Sequence, residues 1–347
     1  RSHCHDDCGH YVGVAVKLHE LRVELRKRAF ESGSKTTKQV FRWLDMLVSD
    51  YANLQSVGLW TAAIIVGCLA VGYAYAFRFI ETQFESYLVS DPKIVFVCAP
   101  IFFLIAWWLV YRYAPEASGS GIPQVMAATE LEYEGDNKKF VDRLLSVRVA
   151  LVKIVSSLFC LAGGGAIGRE GPTLQVSAVI FHSVGKFVRK LYPESHEQTW
   201  VIAGASAGLA SAFNTPLGGI VYAIEELGMK HFHRIRTALL SAVIISGLVA
   251  QGLLGSYLYL GYPQLEPIPM KEWWLVIVVG ILSGLGGALF SQLLIKALNW
   301  KSRLKKPWQL GAFAVVCGFV AALLIVQNKA NFGSGGPLIS HILFNRE

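Results

Sequence analysis

An arginine and a glutamate lie side by side in the glycine-rich stretch Gly163–Thr173, between two largely apolar segments. Those segments run over Val147–Cys160 and Leu174–Val188. An ionisable pair at membrane depth is costly and commonly marks an ion or proton path. The glycines allow the backbone to break its helix, and Pro172 fits the first turn of a new helix, whose free N–H groups favour an anion. The pair is therefore expected at an anion site built on a broken helix.

Three further stretches carry small or acidic residues in patterns with a physical meaning. Ser118–Pro123 sets small residues before a proline that can begin a helix, and its amides and the Ser120 hydroxyl are donors that suit an anion. In Ala203–Pro216, small residues recur four apart, which allows close helix packing in lipid. Ile224–Leu227 contains two adjacent glutamates at the end of an apolar segment.

The composition is that of a membrane protein that crosses the bilayer several times. Apolar residues make up 53% of the 347 residues and charged residues only 16%, against about 25% in ordinary soluble domains. A membrane-spanning helix needs about 17–25 apolar residues. Segments of about this length without a charged side chain are Trp60–Phe77, Ile94–Tyr111, Thr237–Leu254, Trp273–Ile295 and Gly311–Val326. The chain between positions 147 and 227 is interrupted by glycines, which predicts broken or re-entrant helices.

The net charge of +8 falls mainly in the N-terminal region and in connecting loops, which is not the pattern of a nucleic-acid-binding protein. Lys230–Arg236 and Lys296–Lys306 are basic, whereas Ser256–Glu272 between them is not. Positive loops remain on the cytoplasmic side of a membrane. We therefore place the two basic loops in the cytoplasm and the loop between them outside.

Residues 1–37 are interpreted as a cytoplasmic N-terminal tail with a basic helix at Val14–Ala29 and a linker at Ser32–Thr37, and residues 38–347 as one transmembrane domain. The apolar spacing in Lys38–Leu47 fits a helix lying on the cytoplasmic face or an ordinary solvated amphipathic helix. The cluster His3–His10 could bind zinc, but it lacks a Cys-x-x-Cys spacing. We interpret it as a tail, a tag or a misread start, and predict no metal site.

The motifs taken together resemble the CLC family of chloride channels and chloride/proton antiporters. Gly119–Pro123, Gly168–Thr173, Gly208–Pro216 and Ile224–Glu226 occur in the family's order and with its spacing. Arg148–Lys153 is similar to the segment that leads into the family's glutamate motif. The resemblance extends over about residues 38–347, and an ordered set of this kind is far more specific than a single glycine motif.

The resemblance implies an all-α polytopic fold of inverted repeats with broken, re-entrant helices. The family's Gly-x-Phe-x-Pro motif and late tyrosine do not occur after Gly219, and only ten residues follow the glycine-rich break Asn331–Pro337. We therefore expect the first repeat plus the start of the second, in a chain that is incomplete at its C-terminal end. The resemblance also implies a homodimer in a lipid bilayer that transports chloride and protons without a cofactor.

The resemblance assigns roles to individual residues. Ser120 matches the serine whose hydroxyl helps coordinate chloride, and Glu170 matches the gating glutamate, which competes with chloride and carries the proton. Glu226 matches an internal proton-transfer glutamate of the antiporters. The remaining residues implied at the chloride site are Gly119, Gly121, Ile122, Gly168 and Arg169. A structural Arg169–Glu170 pair is the plainer alternative, and Lys153 matches a buried basic residue that could equally balance internal charge.

Glu226 favours chloride/proton antiport with Glu170 as gate and proton carrier. The alternatives are a passive voltage- or pH-gated chloride channel and a truncated, non-conducting subunit. An enzyme is not expected, because Gly185-Lys186 lacks the remaining residues of a phosphate-binding loop. The short cytoplasmic extensions suit a bacterial inner membrane.

Overall fold

The computed structural model describes residues 35–90, 92–131, 135–191, 196–222, 224–225, 232–255, 269–335, 338–339 and 342–343. Every regular element in these ranges is helical, as predicted. Several predicted features lie outside the described residues, namely the basic helix at Val14–Ala29, the His3–His10 cluster and Glu226.

Long helices contain the five apolar segments that were predicted to span the membrane. These helices are α1 (Lys35–Ser90), α2 (Val95–Tyr113), α9 (Phe232–Leu254), α10 (Trp273–Ser302) and α11 (Pro307–Gln327). Six stretches within the described residues are long and apolar enough to cross a membrane, and the sixth, Asp136–Ala162, was not among the predicted spans. It joins a polar helix to the apolar run Val147–Cys160, which is too short to span a membrane alone and was predicted as part of a broken helix.

A series of helices separated by short breaks fills the middle of the chain, as the glycine interruptions predicted. They are α3 (Ile122–Glu130), α4 (Gly135–Leu144), α5 (Val147–Ala162), α6 (Glu170–Leu191), α7 (Glu197–Phe213) and α8 (Pro216–Tyr222). Helix α5 ends because Gly164 adopts φ 80°, which favours glycine. The Gly165 N–H then donates to the Cys160 carbonyl at 2.9 Å and the Gly164 N–H to the Leu161 carbonyl at 2.8 Å. This Schellman pairing stops the helix before the Arg169–Glu170 pair.

The linker predicted at Ser32–Thr37 is wrong at its C-terminal end, because helix α1 already begins at Lys35. The serine and glycine content of that stretch indicated a flexible segment. One continuous helix of 56 residues instead includes the predicted surface helix Lys38–Leu47 and the first apolar segment. The predicted division between residues 37 and 38 therefore falls inside this helix.

The first of two compact units comprises Arg1–Phe79, Leu109–Leu158 and Gly168–Tyr259. Its helices α6 and α7 pack closely, as the small residues in Ala203–Pro216 predicted. A β-carbon at position 204 would lie 2.6 Å from Cβ of Phe181 and 2.8 Å from the Ser177 carbonyl oxygen, so only glycine fits there.

The second unit comprises Ile80–Trp108, Phe159–Ile167 and Leu260–Glu347. Its buried cluster includes Phe84 and Leu88 of α1 with Ala322 and Ile325 of α11. None of the residues of α10, all of which are described, is buried. A helix that is apolar on all sides suits a hydrocarbon environment.

Candidate anion site

The turn before α3 brings backbone N–H groups and a hydroxyl to one place. Gly119 and Gly121 have φ of 77° and 102°, a region that favours glycine, and α3 begins at Ile122 directly after them. The Ser120 hydroxyl oxygen accepts a hydrogen bond from the Ile122 N–H at 3.4 Å. Gly119 and Ser120 are exposed, whereas Gly121 is buried. The turn therefore presents the serine hydroxyl beside the free end of a helix, where anions bind favourably.

A buried lysine holds this turn from behind. Lys153 of α5 is 3% exposed, and its Nζ donates to the carbonyl of Ala117 at 2.6 Å and to that of Gly119 at 2.7 Å. Its described partners are thus carbonyl oxygens and not a carboxylate, so the prediction of simple charge balance is incomplete. Because these two carbonyl groups point toward the ammonium group, the N–H groups of the same peptides point away from it.

A second set of hydrogen bonds supports the same turn. Gln124, on the first turn of α3, donates through Nε2 to the carbonyl of Ser118 at 2.5 Å and to that of Glu116 at 3.3 Å. The Glu116 carboxylate in turn contacts Nε of Arg143 at 2.8 Å. The segment before the turn is therefore fixed by contacts with both α3 and α4.

The Arg169–Glu170 pair lies where a new helix begins, as predicted. Helix α6 begins at Glu170, a half-buried residue whose carboxylate turns back toward Gly168, with Oε2 close to where a β-carbon at Gly168 would stand. Both the N–H and the hydroxyl of Thr173 donate to the Arg169 carbonyl, at 3.0 and 2.7 Å. A carboxylate at a helix N-terminus is stabilised by the helix dipole. Glu170 thus occupies the kind of position that an external anion would take.

The structure brings the two stretches together. A β-carbon at Gly171 would lie 2.6 Å from the Ser120 carbonyl oxygen, and one at Gly121 would lie 2.7 Å from Oε1 of Gln175. The turn before α3 therefore lies directly on the first two turns of α6. Ser120 and Gly121 thus lie against α6 at Gly171 and Gln175. The other residues predicted for the site adjoin these two stretches in sequence: Gly119 and Ile122 flank the turn, and Gly168, Arg169 and Glu170 lie just before or at the start of α6. Glu226 lies outside the described residues, and its neighbour Glu225 is exposed.

Two helix N-termini, a serine hydroxyl and a buried ammonium group favour negative charge at this place. The chemistry that the arrangement supports is reversible anion binding, with the Glu170 carboxylate as an internal competitor. Sequence reasoning missed two contributors, the support given by Lys153 and the packing of Gln175. Both depend on contacts between distant parts of the chain, which no local pattern encodes.

One group of potential metal ligands occurs among the described residues, away from this site. Asp142, His182 and Glu197 offer ligand atoms within 4.8 Å of one another. Both carboxylates, however, already contact cations: Asp142 contacts Lys186 at 2.6 Å, and Glu197 contacts Arg189 and Lys138. These cations oppose a metal ion electrostatically, and the group acts as an ion-pair network.

Residues 102–347 match the family described as "Voltage gated chloride channel". The H(+)/Cl(-) exchange transporter ClcA of Klebsiella pneumoniae is 31% identical over 299 residues, which cover 80% of this chain and 60% of that protein. The protein of the same name from Citrobacter koseri is 29% identical over 286 residues, which cover 76% of this chain and 58% of that protein. The chain thus spans about three fifths of the length of these relatives.

Solved structures give the same fold. A slow cyanobacterial Cl⁻/H⁺ antiporter matches with a TM-score of 0.70 and 23% identity, over 85% of this chain and 68% of that chain. A CLC-type fluoride/proton antiporter matches with a TM-score of 0.67 and 22% identity, over 85% of this chain and 71% of that chain. The predicted all-α polytopic fold is confirmed.

Proposed function

Because the chain belongs to the voltage-gated chloride channel family, we propose that it exchanges chloride for protons across a membrane, with Glu170 as gate and proton carrier. The observation that carries the proposal is Glu170 at the start of α6, where the next residue, Gly171, packs against the Ser120 carbonyl. The exchange activity named for the two curated relatives supports it.

The exchange follows from competition for one positive region. The charged Glu170 carboxylate is attracted to the N–H groups at the helix starts, and it excludes chloride by occupying the same place. On protonation the side chain loses its charge, and a chloride ion replaces it. A carboxyl group that alternates between these states moves a proton each time an anion passes.

Chloride binding is assigned to the two N-terminal turns. Ser120 contributes its hydroxyl, and the remaining contributions are backbone N–H groups of Gly119, Gly121, Ile122, Gly168 and Arg169. An N–H group cannot be titrated, so the binding strength of these groups depends on geometry rather than on pH. Lys153 is a positioning residue, since its ammonium group holds the carbonyl side of the turn.

Coupled exchange needs a separate proton entrance from the cytoplasm, and Glu226 is proposed for it. The proposal also includes a homodimer in the lipid bilayer, a bacterial inner membrane, no cofactor beyond the transported ions and no enzymatic activity. The residues 1–37 are proposed as a cytoplasmic extension.

The decisive variant is Glu170→Gln in the full-length protein reconstituted into liposomes. An amide at this position cannot carry a proton, so chloride efflux should continue while the associated proton movement is lost. Glu130→Gln is the matched control, because Glu130 is exposed at the end of α3. Both fluxes are measured together, with a chloride electrode and a pH electrode.

Each other outcome contradicts a specific part of the proposal. Proton movement equal to that of the unsubstituted protein would remove Glu170 from its role. Chloride efflux without proton movement in the unsubstituted protein would indicate a channel. No flux of either ion from that protein would indicate a non-conducting subunit.

A further inference from the structure

A glutamine beside the anion site is buried without a protein partner. Gln175 lies on the second turn of α6 and is 0% exposed. Within the part of the chain that the structure describes, neither its Oε1 nor its Nε2 has a hydrogen-bond partner. Buried polar groups are nearly always bonded to protein or to an ordered water molecule, because an unpaired one is costly.

The position of Gln175 links it to the turn that carries Ser120. A β-carbon at Gly121 would lie 2.7 Å from Oε1 of Gln175 and 3.2 Å from the Gly171 carbonyl oxygen. The side-chain amide and this carbonyl therefore face the same glycine. Gly121 precedes α3 directly, so a shift of the amide would move the start of that helix.

A second side-chain amide adjoins the segment before the same turn. Gln124 of α3 donates through Nε2 to the carbonyl groups of Glu116 and Ser118, but among the described residues its buried Oε1 has no partner. Two side-chain amides close to the turn at Gly119–Ile122 thus keep hydrogen-bonding capacity that the described residues do not meet. Polar surroundings of this kind are where internal water molecules bind.

We propose that Gln175 holds an internal water molecule against the turn at Gly119–Ile122, and thereby fixes the start of α3 at the distance from α6 that suits the transported anion. This inference rests on the proposed function. The ligand is water because the amide offers both a donor and an acceptor, and water satisfies both. A chloride ion only accepts, and would leave Oε1 unpaired.

The role is one of positioning. Gln175 acts through the water and the backbone at Gly121, and the groups that face the anion are those of Ser120 and the helix starts. A water-mediated contact is nearly as favourable as a direct hydrogen bond, and it fixes geometry in the same way. Loss of the water should therefore change anion affinity and selectivity more than it changes the stability of the fold.

The test compares Gln175→Met with Leu174→Met in the full-length protein. Leu174 is the adjacent residue and is also 0% exposed, so both variants place a methionine at a buried site of α6, and only one removes an amide. Calorimetric titration measures the chloride affinity. Flux assays in liposomes measure the ratio of bromide to chloride flux. We expect Gln175→Met to weaken chloride binding about tenfold, because a tenfold change corresponds to about 1.4 kcal/mol, the order of one lost hydrogen bond. We also expect it to change the flux ratio. Leu174→Met should keep both values.

A purely structural glutamine predicts the opposite. Replacing an unpaired buried amide with an apolar side chain of similar shape would then raise or keep the melting temperature and leave chloride affinity and the flux ratio unchanged. That result would overturn the proposal. A lower melting temperature with an unchanged flux ratio would do so as well.

A crystal structure of the unsubstituted protein, at a resolution that shows ordered water, tests the proposal even if Gln175→Met does not fold. A water molecule within hydrogen-bond distance of both Oε1 and Nε2 is expected, and an amide without one contradicts the proposal. Flux measurements on the same protein test the proposed function separately. A water at Gln175 in a protein that moves no chloride would refute the function and leave the water site intact.

Discussion

At the scale of single residues, the candidate anion site depends on a turn whose carbonyl groups are held by a buried lysine. Lys153 is a charged residue at 3% exposure, and an unpaired charge in that environment would be very costly. Its two short contacts with carbonyl oxygens compensate that cost and also determine which way the peptide groups of the turn face. The serine and the amides at the front are oriented by a residue that need not touch the anion.

Lys153→Met should weaken chloride binding and lower stability together. The variant keeps the length of the side chain but leaves the carbonyl oxygens of Ala117 and Gly119 without their buried donor, at a cost of about 1–3 kcal/mol for each unsatisfied group. Lys190→Met, which removes an exposed lysine from α6, is the matched control. Thermal unfolding in detergent and calorimetric chloride titration measure the two effects. Unchanged chloride affinity in Lys153→Met would show that the turn is positioned without the lysine.

At the scale of elements, α6 is the helix on which the site is built. Its N-terminus carries Glu170, its second turn contacts the turn before α3, and its middle packs against α7 at Gly204. Its C-terminal half contributes His182, Lys186 and Arg189 to the ion-pair network with α4 and α7. The position of Glu170 is therefore held along the whole length of the helix.

The close approach of α6 and α7 predicts that two glycine substitutions differ strongly in their effect on the free energy of unfolding. In Gly204→Ala the new methyl group would meet Cβ of Phe181 at 2.6 Å and backbone at 2.8 Å, so the helices must separate. Overpacking of this kind destabilises by about 1–3 kcal/mol. Gly280→Ala, in α10, meets nothing within 4 Å and should stabilise by about 0.5–1 kcal/mol through helix propensity. Equal melting temperatures for the two variants would contradict this packing.

The ion-pair network makes a separate prediction for Glu197→Gln. The side chain of Glu197 is 6% exposed and contacts both Arg189 and Lys138. Removing its charge breaks the ion pair with the largely buried Arg189, and breaking a buried pair costs about 3–5 kcal/mol. Asp136→Asn is the control, because its partner Lys139 is exposed and such pairs contribute little. A small change in the unfolding temperature of Glu197→Gln would show that the network is not a stabilising one.

At the scale of the whole molecule, the sequence predicts the membrane-spanning segments well, because a long charge-free apolar run is a local property. Prediction from the sequence failed at two places. The Ser-Gly-Ser run indicated a linker where α1 already begins at Lys35, and the charges of α4 kept Asp136–Ala162 from being predicted as a span. The anion-binding roles assigned from the motifs stay predictions, and the structure places Ser120 and Gly121 against α6. The roles of Lys153 and Gln175 were not predictable, since Lys153 contacts carbonyls 34 and 36 positions away in the sequence.

In the proposed exchange, chloride and protons share the Glu170 carboxylate, so that their movements are coupled. This coupling is tested most directly by the reversal potential of the full-length protein in a planar bilayer, with the chloride gradient held constant while the pH on one side is changed. Coupled exchange predicts that the reversal potential shifts with the pH gradient. A reversal potential that stays at the chloride equilibrium value at every pH would contradict it.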